Sequence, residues 1–138
     1  MTVTVVIPAR YASSRLPGKP LLEIDGIPMV AHVVAAALRA NVDAVVVATD
    51  HLEIAAAART AGAEAVMTDP DLPSGSDRVG AAMAGRSATI VVNVQGDEPE
   101  LDPAAIDAAV AALRADEGAD IATLSAPLTA ENLRDPNC

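Results

Sequence analysis

The sequence contains no phenylalanine and no tryptophan, and Tyr11 is its one aromatic residue. A nucleic-acid platform built on stacked bases has nothing to stack on. The core has to be assembled from valine, isoleucine, leucine and alanine. Cysteine is equally scarce. Cys138, the last residue, is the only one, which excludes an intrachain disulfide, a paired redox centre and zinc-type cysteine/histidine spacing. Cations are few: nine lysines and arginines against nineteen acids give a formal charge of -10. That balance argues against nucleic acid and anionic membranes as partners. There is no run of about 18 apolar residues and no charged-then-apolar leader, so neither a membrane span nor a signal peptide is expected. A cytoplasmic location follows as the default. No internal repeat stands out, and the only compositional bias is toward alanine.

What is present is apolar mass: 51% of the 138 residues are hydrophobic, enough for one domain with a real core. An aliphatic core of this kind suits a parallel sheet buried on both faces beneath helices. Val3–Ile7 reads as a first buried strand, with a long loop to about Leu21 and a short strand or turn at 21–24 closed by Asp25-Gly26. Pro28 opens a helix whose apolar face is Met29, Val30, Val33, Val34, Ala37 and Leu38, with Asn41 as its stop. Asp43–Ala48 is a second strand, His51–Thr60 a helix ended by Gly62, and Glu64–Met67 a third strand. A loop over 68–77 leads to a helix from Asp77 to about Ala84. Thr89–Val94 is the clearest strand. Asp102 caps a helix with Pro103 in its first turn and Ile106, Val110 and Leu113 on its apolar face. Asp120–Ser125 reads as a fifth strand. The alternation predicts an α/β fold, mostly parallel, with right-handed crossovers and ligands beyond the carboxyl ends of the strands.

The loops at those carboxyl ends carry the chemistry. Arg10, Arg15 and Lys19 follow the first strand, and no acid precedes Glu23. Three cations gathered on an acidic chain, with Ser13 and Ser14 as hydroxyl donors, suit a polyanion, best a nucleoside triphosphate. The alternative is a solvated basic loop. Gly18-Lys19 is not a P-loop: the earlier glycine is missing, and Pro20 stands where serine or threonine should follow the lysine. After the fourth strand, Gln95-Gly96-Asp97-Glu98 places a carboxylate where magnesium could be held against phosphate oxygens, or where it caps the next turn. Asp50 is as good an N-cap as a functional acid; His51 reads as a helix residue and His32 as structural. Ser74-Gly75-Ser76-Asp77-Arg78 suits a base edge or a phosphate, or is an ordinary helix start with Ser76 as cap and Arg78 solvated. With no nucleophilic triad arguable from these residues, direct transfer between bound substrates, by positioning and charge neutralisation, is the natural chemistry.

Four segments, taken in order, carry a resemblance: 7–21 (IPARYASSRLPGKPL), 47–51 (VATDH), 74–78 (SGSDR) and 92–99 (VNVQGDEP). Together they resemble the 3-deoxy-manno-octulosonate (Kdo) cytidylyltransferases, the CMP-Kdo synthetase family, over nearly the whole chain. The resemblance implies a Rossmann-like nucleotide-diphospho-sugar transferase fold. It also implies Mg²⁺-dependent transfer of CMP from CTP to Kdo, releasing pyrophosphate, for lipopolysaccharide assembly. By the same resemblance Arg10, Ser13, Arg15 and Lys19 bind the triphosphate, and Ser74 and Arg78 face the cytosine. Gln95 faces the ligands, and Asp97 is one of two magnesium aspartates, making Lys19 and Asp97 the catalytic pair. The family usually has a histidine where this chain has Leu72. Its members also run on past Cys138 into residues that hold the sugar, the second aspartate and much of a homodimer interface. Residues 1–138 are accordingly expected to be the CTP-binding portion of one cytidylyltransferase domain, inactive alone. Three other readings remain beside it: a cytidylyltransferase for another acidic sugar (a sialic acid or amino-Kdo), a CTP-binding module without turnover, and a structural α/β domain whose basic loop is incidental.

Overall fold

The computed structural model describes residues 2–12 and 16–123. Its centre is a four-stranded parallel sheet. The strands are β1 (Val3–Ala9), β4 (Ala44–Thr49), β5 (Glu64–Met67) and β6 (Ile90–Asn93), in the order β5-β4-β1-β6. A small antiparallel hairpin, β2 (Glu23–Ile24) and β3 (Ile27–Pro28), lies outside it. The helices are α1 (Met29–Leu38), α2 (Leu52–Ala61), α3 (Gly75–Met83) and α4 (Pro103–Ala115).

β1 is central because it can be buried on both faces: all seven of its residues are buried. Alternate residues point to opposite sides. Val5, Ile7 and Ala9 join Val45 and Val47 beneath α1, α2 and Ile106 of α4. Val6 joins Val46 and Ala48 beneath Ala82, Val79 and Met83 of α3. Valine, isoleucine and alanine supply every buried hydrophobic position among the described residues, with leucine only partly buried at the periphery.

Several element ends depart from the sequence expectation. α1 stops at Leu38 with Arg39 as its C-cap, before Asn41. The predicted turn after Leu21 is the β2–β3 hairpin, where Asp25 takes a positive φ of 55° beside Gly26. α3 begins at Gly75 rather than Asp77. Its cap is Ser74 rather than Ser76, because the Ser74 hydroxyl reaches the Asp77 N–H three residues on. The fifth strand is not formed over Asp120–Thr123, and the rest of it lies outside the described residues. α2 ends as expected, on Gly62 in the left-handed region (φ 106°).

Candidate functional site

The strand order fixes where a ligand belongs. From β1 the chain steps outward through β4 to β5, then returns to place β6 on the other side of β1. The connections at the carboxyl ends of β1 and β6 therefore diverge, and the crevice between them is the usual ligand site of an open parallel sheet. β1 runs out into Arg10 and Tyr11, and β6 into Val94-Gln95-Gly96-Asp97.

Gly96 is where these two segments touch. A methyl group there would stand 3.2 Å from the Pro8 carbonyl oxygen and 3.3 Å from the Ala9 Cβ, so glycine lets the β6 loop lie closer to the end of β1 than a side chain comfortably would. Asp97 is consequently held over the basic loop. Its Oδ2 lies 3.3 Å from the Lys19 ammonium, an ion pair in which both side chains remain about half exposed (42% and 53%). In that setting the pair is weakly coupled and open to a polyanion. Lys19 is presented by a short 3-10 turn, Lys19–Leu21, introduced by Gly18 in the left-handed region (φ 73°).

A cavity of about 210 Å³ is lined by Pro8, Arg10, Leu72, Pro73, Ser74, Gly75, Arg78 and Gln95, the last of these two residues before Asp97. Four residues singled out from the sequence, Arg10, Ser74, Arg78 and Gln95, thus converge from three separate segments. Leu72, where the resemblance implies a histidine, forms part of the wall. Ser13 and Arg15 lie outside the described residues.

Arg78 departs most from the solvated helix-start reading. It is 2% exposed, the largest fully buried side chain among the described residues. Its Nη1 donates to the Thr68 hydroxyl and, at 3.1 Å, to the Asp69 carbonyl. No carboxylate is paired with it among the described residues. A permanent cation held this way under a cavity is an acceptor-seeking group. Ser74 has its hydroxyl hydrogen committed to Asp77 Oδ2 at 2.6 Å, so a ligand meets its oxygen lone pairs or its backbone. The Gln95 amide donates to Asn93 Oδ1 at 3.1 Å.

The segment after β4 holds the basic loop in place. Asp50 does not cap α2. Its Oδ1 accepts the Tyr11 N–H at 2.9 Å, tying the loop after β1 to the end of β4. His51 is the cap, its Nδ1 accepting the Glu53 N–H at 3.3 Å. The His51 ring stacks on Tyr11, with centroids 4.2 Å apart and planes 14° from parallel. The Tyr11 carbonyl accepts the Gly18 N–H at 2.7 Å, closing the base of the loop. His32 contacts the Ile24 carbonyl at 2.7 Å, away from the crevice, in keeping with its structural assignment. Sequence reasoning left Tyr11, Asp50 and His51 without a role and passed over Thr68. The pairing of the lone aromatic with a histidine that follows the adjacent strand β4 has no local signature.

The described residues contain no group of three or more histidine, cysteine or acidic side chains poised for a metal. Magnesium does not require one: it commonly takes one or two carboxylates and fills its shell with phosphate oxygens and water. A half-exposed Asp97 at the crevice fits that limited demand.

Strand order, divergent loops and a cation-lined crevice define a Rossmann-like α/β domain of the nucleotidyltransferase kind. The chain belongs to the cytidylyltransferase family, whose model matches residues 4–138. It is 56% identical to the 3-deoxy-manno-octulosonate cytidylyltransferase of Parvibaculum lavamentivorans, over 96% of this chain and 53% of that protein. With the enzyme of the same name from Chromohalobacter salexigens it shares 52% identity, over 98% of this chain and 54% of the relative. Among solved structures, CMP:2-keto-3-deoxy-manno-octonic acid synthetase complexed with CTP superposes with a TM-score of 0.82 at 44% identity, over 86% of this chain and 49% of that one. A nucleotidyl transferase from Methanothermobacter superposes with a TM-score of 0.70 at 26% identity, over 80% and 57%. The chain thus spans about half the length of the relatives it matches. No helix among the described residues is long and apolar enough to cross a membrane.

Proposed function

We propose that residues 1–138 form the CTP-binding portion of a 3-deoxy-manno-octulosonate cytidylyltransferase. The reaction transfers CMP from CTP to Kdo and releases pyrophosphate, supplying a sugar nucleotide for lipopolysaccharide assembly. One observation carries the reading: Arg10, Ser74, Arg78 and Gln95, drawn from three segments, line a single cavity, and the loops after β1 and β6 that supply two of them also join through the Lys19–Asp97 pair. The relatives' names and the CTP complex of the structural neighbour support the choice of nucleotide and sugar.

In this reading the cytosine enters the cavity over Arg78, and the triphosphate lies along the loop after β1. Arg10, Arg15 and Lys19 neutralise its charge, and the Ser13 hydroxyl donates to a phosphate oxygen. The Kdo anomeric hydroxyl attacks the α-phosphorus in line: the new phosphorus–oxygen bond forms, the hydroxyl proton passes to solvent water, and the bond to the pyrophosphate oxygen breaks. Chemistry of this type rests on placement and electrostatics rather than on a protein nucleophile. Magnesium, when bound, supplies charge neutralisation at the phosphates, and Asp97 is the residue of this chain that would hold it. Lys19 leaves Asp97 for the phosphates as CTP arrives, and its ammonium then stabilises charge on the departing pyrophosphate. Sugar contacts, a second aspartate and a homodimer interface are assigned to the remainder of the full-length enzyme, placed in the cytoplasm.

The test is pyrophosphate release by the product of the complete reading frame, supplied with CTP, Mg²⁺ and a panel of sugar acids. Release with Kdo is expected. Release with a sialic acid or amino-Kdo but not Kdo would replace the sugar and keep the reaction. Tight CTP binding with no turnover on any sugar would leave a binding module.

A further inference from the structure

Arg78 sits almost wholly buried (2% exposed) with no carboxylate paired to it among the described residues, which leaves open what aims its guanidinium. Its hydrogen bonds to protein are both made by Nη1, to Thr68 Oγ1 and to the Asp69 carbonyl. No fully buried side-chain nitrogen or oxygen lacks a partner among the described residues. The remaining guanidinium N–H groups are therefore not sealed in, and Arg78 is part of the cavity wall.

Thr68 is itself held. Its N–H donates to the Thr49 carbonyl at 2.8 Å, and its hydroxyl lies 3.2 Å from the same oxygen. A carbonyl only accepts, so the single hydroxyl hydrogen of Thr68 is spent there and its lone pairs are turned to Arg78. Thr49 is completely buried at the end of β4, a rigid base for the relay. A valine would keep the shape and lose both the acceptor and the lock.

We infer that Thr68 is a positioning residue for base selection: through its locked hydroxyl it holds the Arg78 guanidinium edge toward the acceptor side of a cytosine. This rests on the proposed CTP site. The chemistry explains why aim matters more than charge. Cytosine offers two adjacent acceptors, O2 and N3, to a guanidinium fork. Uracil carries a hydrogen on N3 and turns one acceptor into a repelled donor. A fixed fork separates the two bases, and a loose one still supplies positive charge but discriminates less.

The experiment uses the full-length enzyme with CTP and UTP, following kcat, KM and thermal melting for Thr68→Val, Thr68→Ser and Arg78→Lys. Thr68→Val should raise the KM for CTP about tenfold, with kcat little changed, and lower the CTP-over-UTP preference by a similar factor, the usual scale for one charge-assisted hydrogen bond. Thr68→Ser, which keeps the hydroxyl, should restore both. Arg78→Lys should lose preference as Thr68→Val does, and the double variant should lose no more than either alone. A folded Thr68→Val with wild-type KM and preference overturns the inference. So does equal impairment by valine and serine toward both nucleotides, which marks a purely structural hydroxyl. If Thr68→Val does not fold, Thr68→Ala takes its place; failure of both to fold also overturns it, since the hydroxyl then serves the fold. A wild-type enzyme that turns over neither nucleotide refutes the CTP site itself, a separate outcome.

Discussion

Replacing Gly96 by alanine asks whether the contact between the β1 and β6 loops is what holds Asp97 in place. The added methyl would meet the Pro8 carbonyl oxygen at 3.2 Å, the Ala9 Cβ at 3.3 Å and Ile7 Cγ2 at 3.6 Å. None of these can swing away. Pro8 and Ala9 are paired with Ala48 and Thr49 in the centre of the sheet, and Ile7 is completely buried. The β6 loop has to yield instead, by a few tenths of an ångström, carrying Gln95 and Asp97 with it. Overpacking of this kind costs about 1–3 kcal/mol of stability. A displacement approaching 1 Å at a reacting centre costs up to roughly 100-fold in rate, so the smaller shift here should cost on the order of tenfold in kcat/KM. Thermal melting and steady-state pyrophosphate release on the full-length enzyme measure the two effects. Gly80→Ala is the counterpart. Gly80 lies inside α3, exposed, with nothing within 4 Å of the added carbon, and the change should stabilise by about 0.5–1 kcal/mol without touching activity. A Gly96→Ala enzyme with unchanged melting and unchanged kcat/KM would refute the claim that this close approach positions Asp97.

The other predictions concern the same crevice. Because Lys19 and Asp97 are both about half exposed, a double-mutant cycle of Lys19→Met and Asp97→Asn should show a stability coupling below about 1 kcal/mol, while either change alone lowers kcat at least about 100-fold; a large stability coupling would make the pair structural. Gly75→Ala places a methyl 3.4 Å from Pro8 Cγ and 3.6 Å from Gln95 Oε1, ordinary contacts at the cavity wall. It should leave melting nearly unchanged and weaken CTP binding measured by calorimetry, and unaltered affinity would remove the cavity from the nucleotide site. His51→Ala removes both the stacked ring under Tyr11 and the acceptor for Glu53 N–H. A raised KM for CTP is expected, with His51→Asn restoring the cap but not the KM; full recovery with asparagine would show that the stack does nothing for the loop. Residues 1–138 expressed alone should bind CTP weakly by calorimetry and release little pyrophosphate, and turnover at the full-length rate would contradict the division of labour proposed for the two halves.

The two central strands, β1 and β4, were legible as buried aliphatic runs; β6 carries the same valine and isoleucine signature although only Ile90 of it is buried. Gly62 and Asp102-Pro103 marked their helix boundaries for local reasons, a left-handed cap and a first-turn proline. Ser74 was misjudged against Ser76, although the spacing Ser74-x-x-Asp77 is itself a capping signature. The hydroxyl and carboxylate of that pair bond each other, and the helix starts two residues early as a result. Those two residues place Arg78 within the first turn of α3, its N–H bonded to the Ser74 carbonyl and its guanidinium on Thr68 instead of in solvent.

Arg78 also marks where local reading must fail. A lone arginine in a polar stretch is expected to be solvated, since burying a charge without a counter-charge is costly. It is buried here because acceptors from the loop after β5 reach it and because one side of it borders the cavity. Lys19 and Asp97 pose the same problem at longer range. They lie 78 residues apart in sequence and meet only because β6 returns to the flank of β1 opposite β4. Had β6 been added outside β5, the same residues would sit about three strand widths apart, near 14 Å, beyond the reach of one phosphate group. The candidate site is therefore a property of strand order. The local sequence supplies its charges, and the reversal of the sheet at β1 brings them together in one crevice.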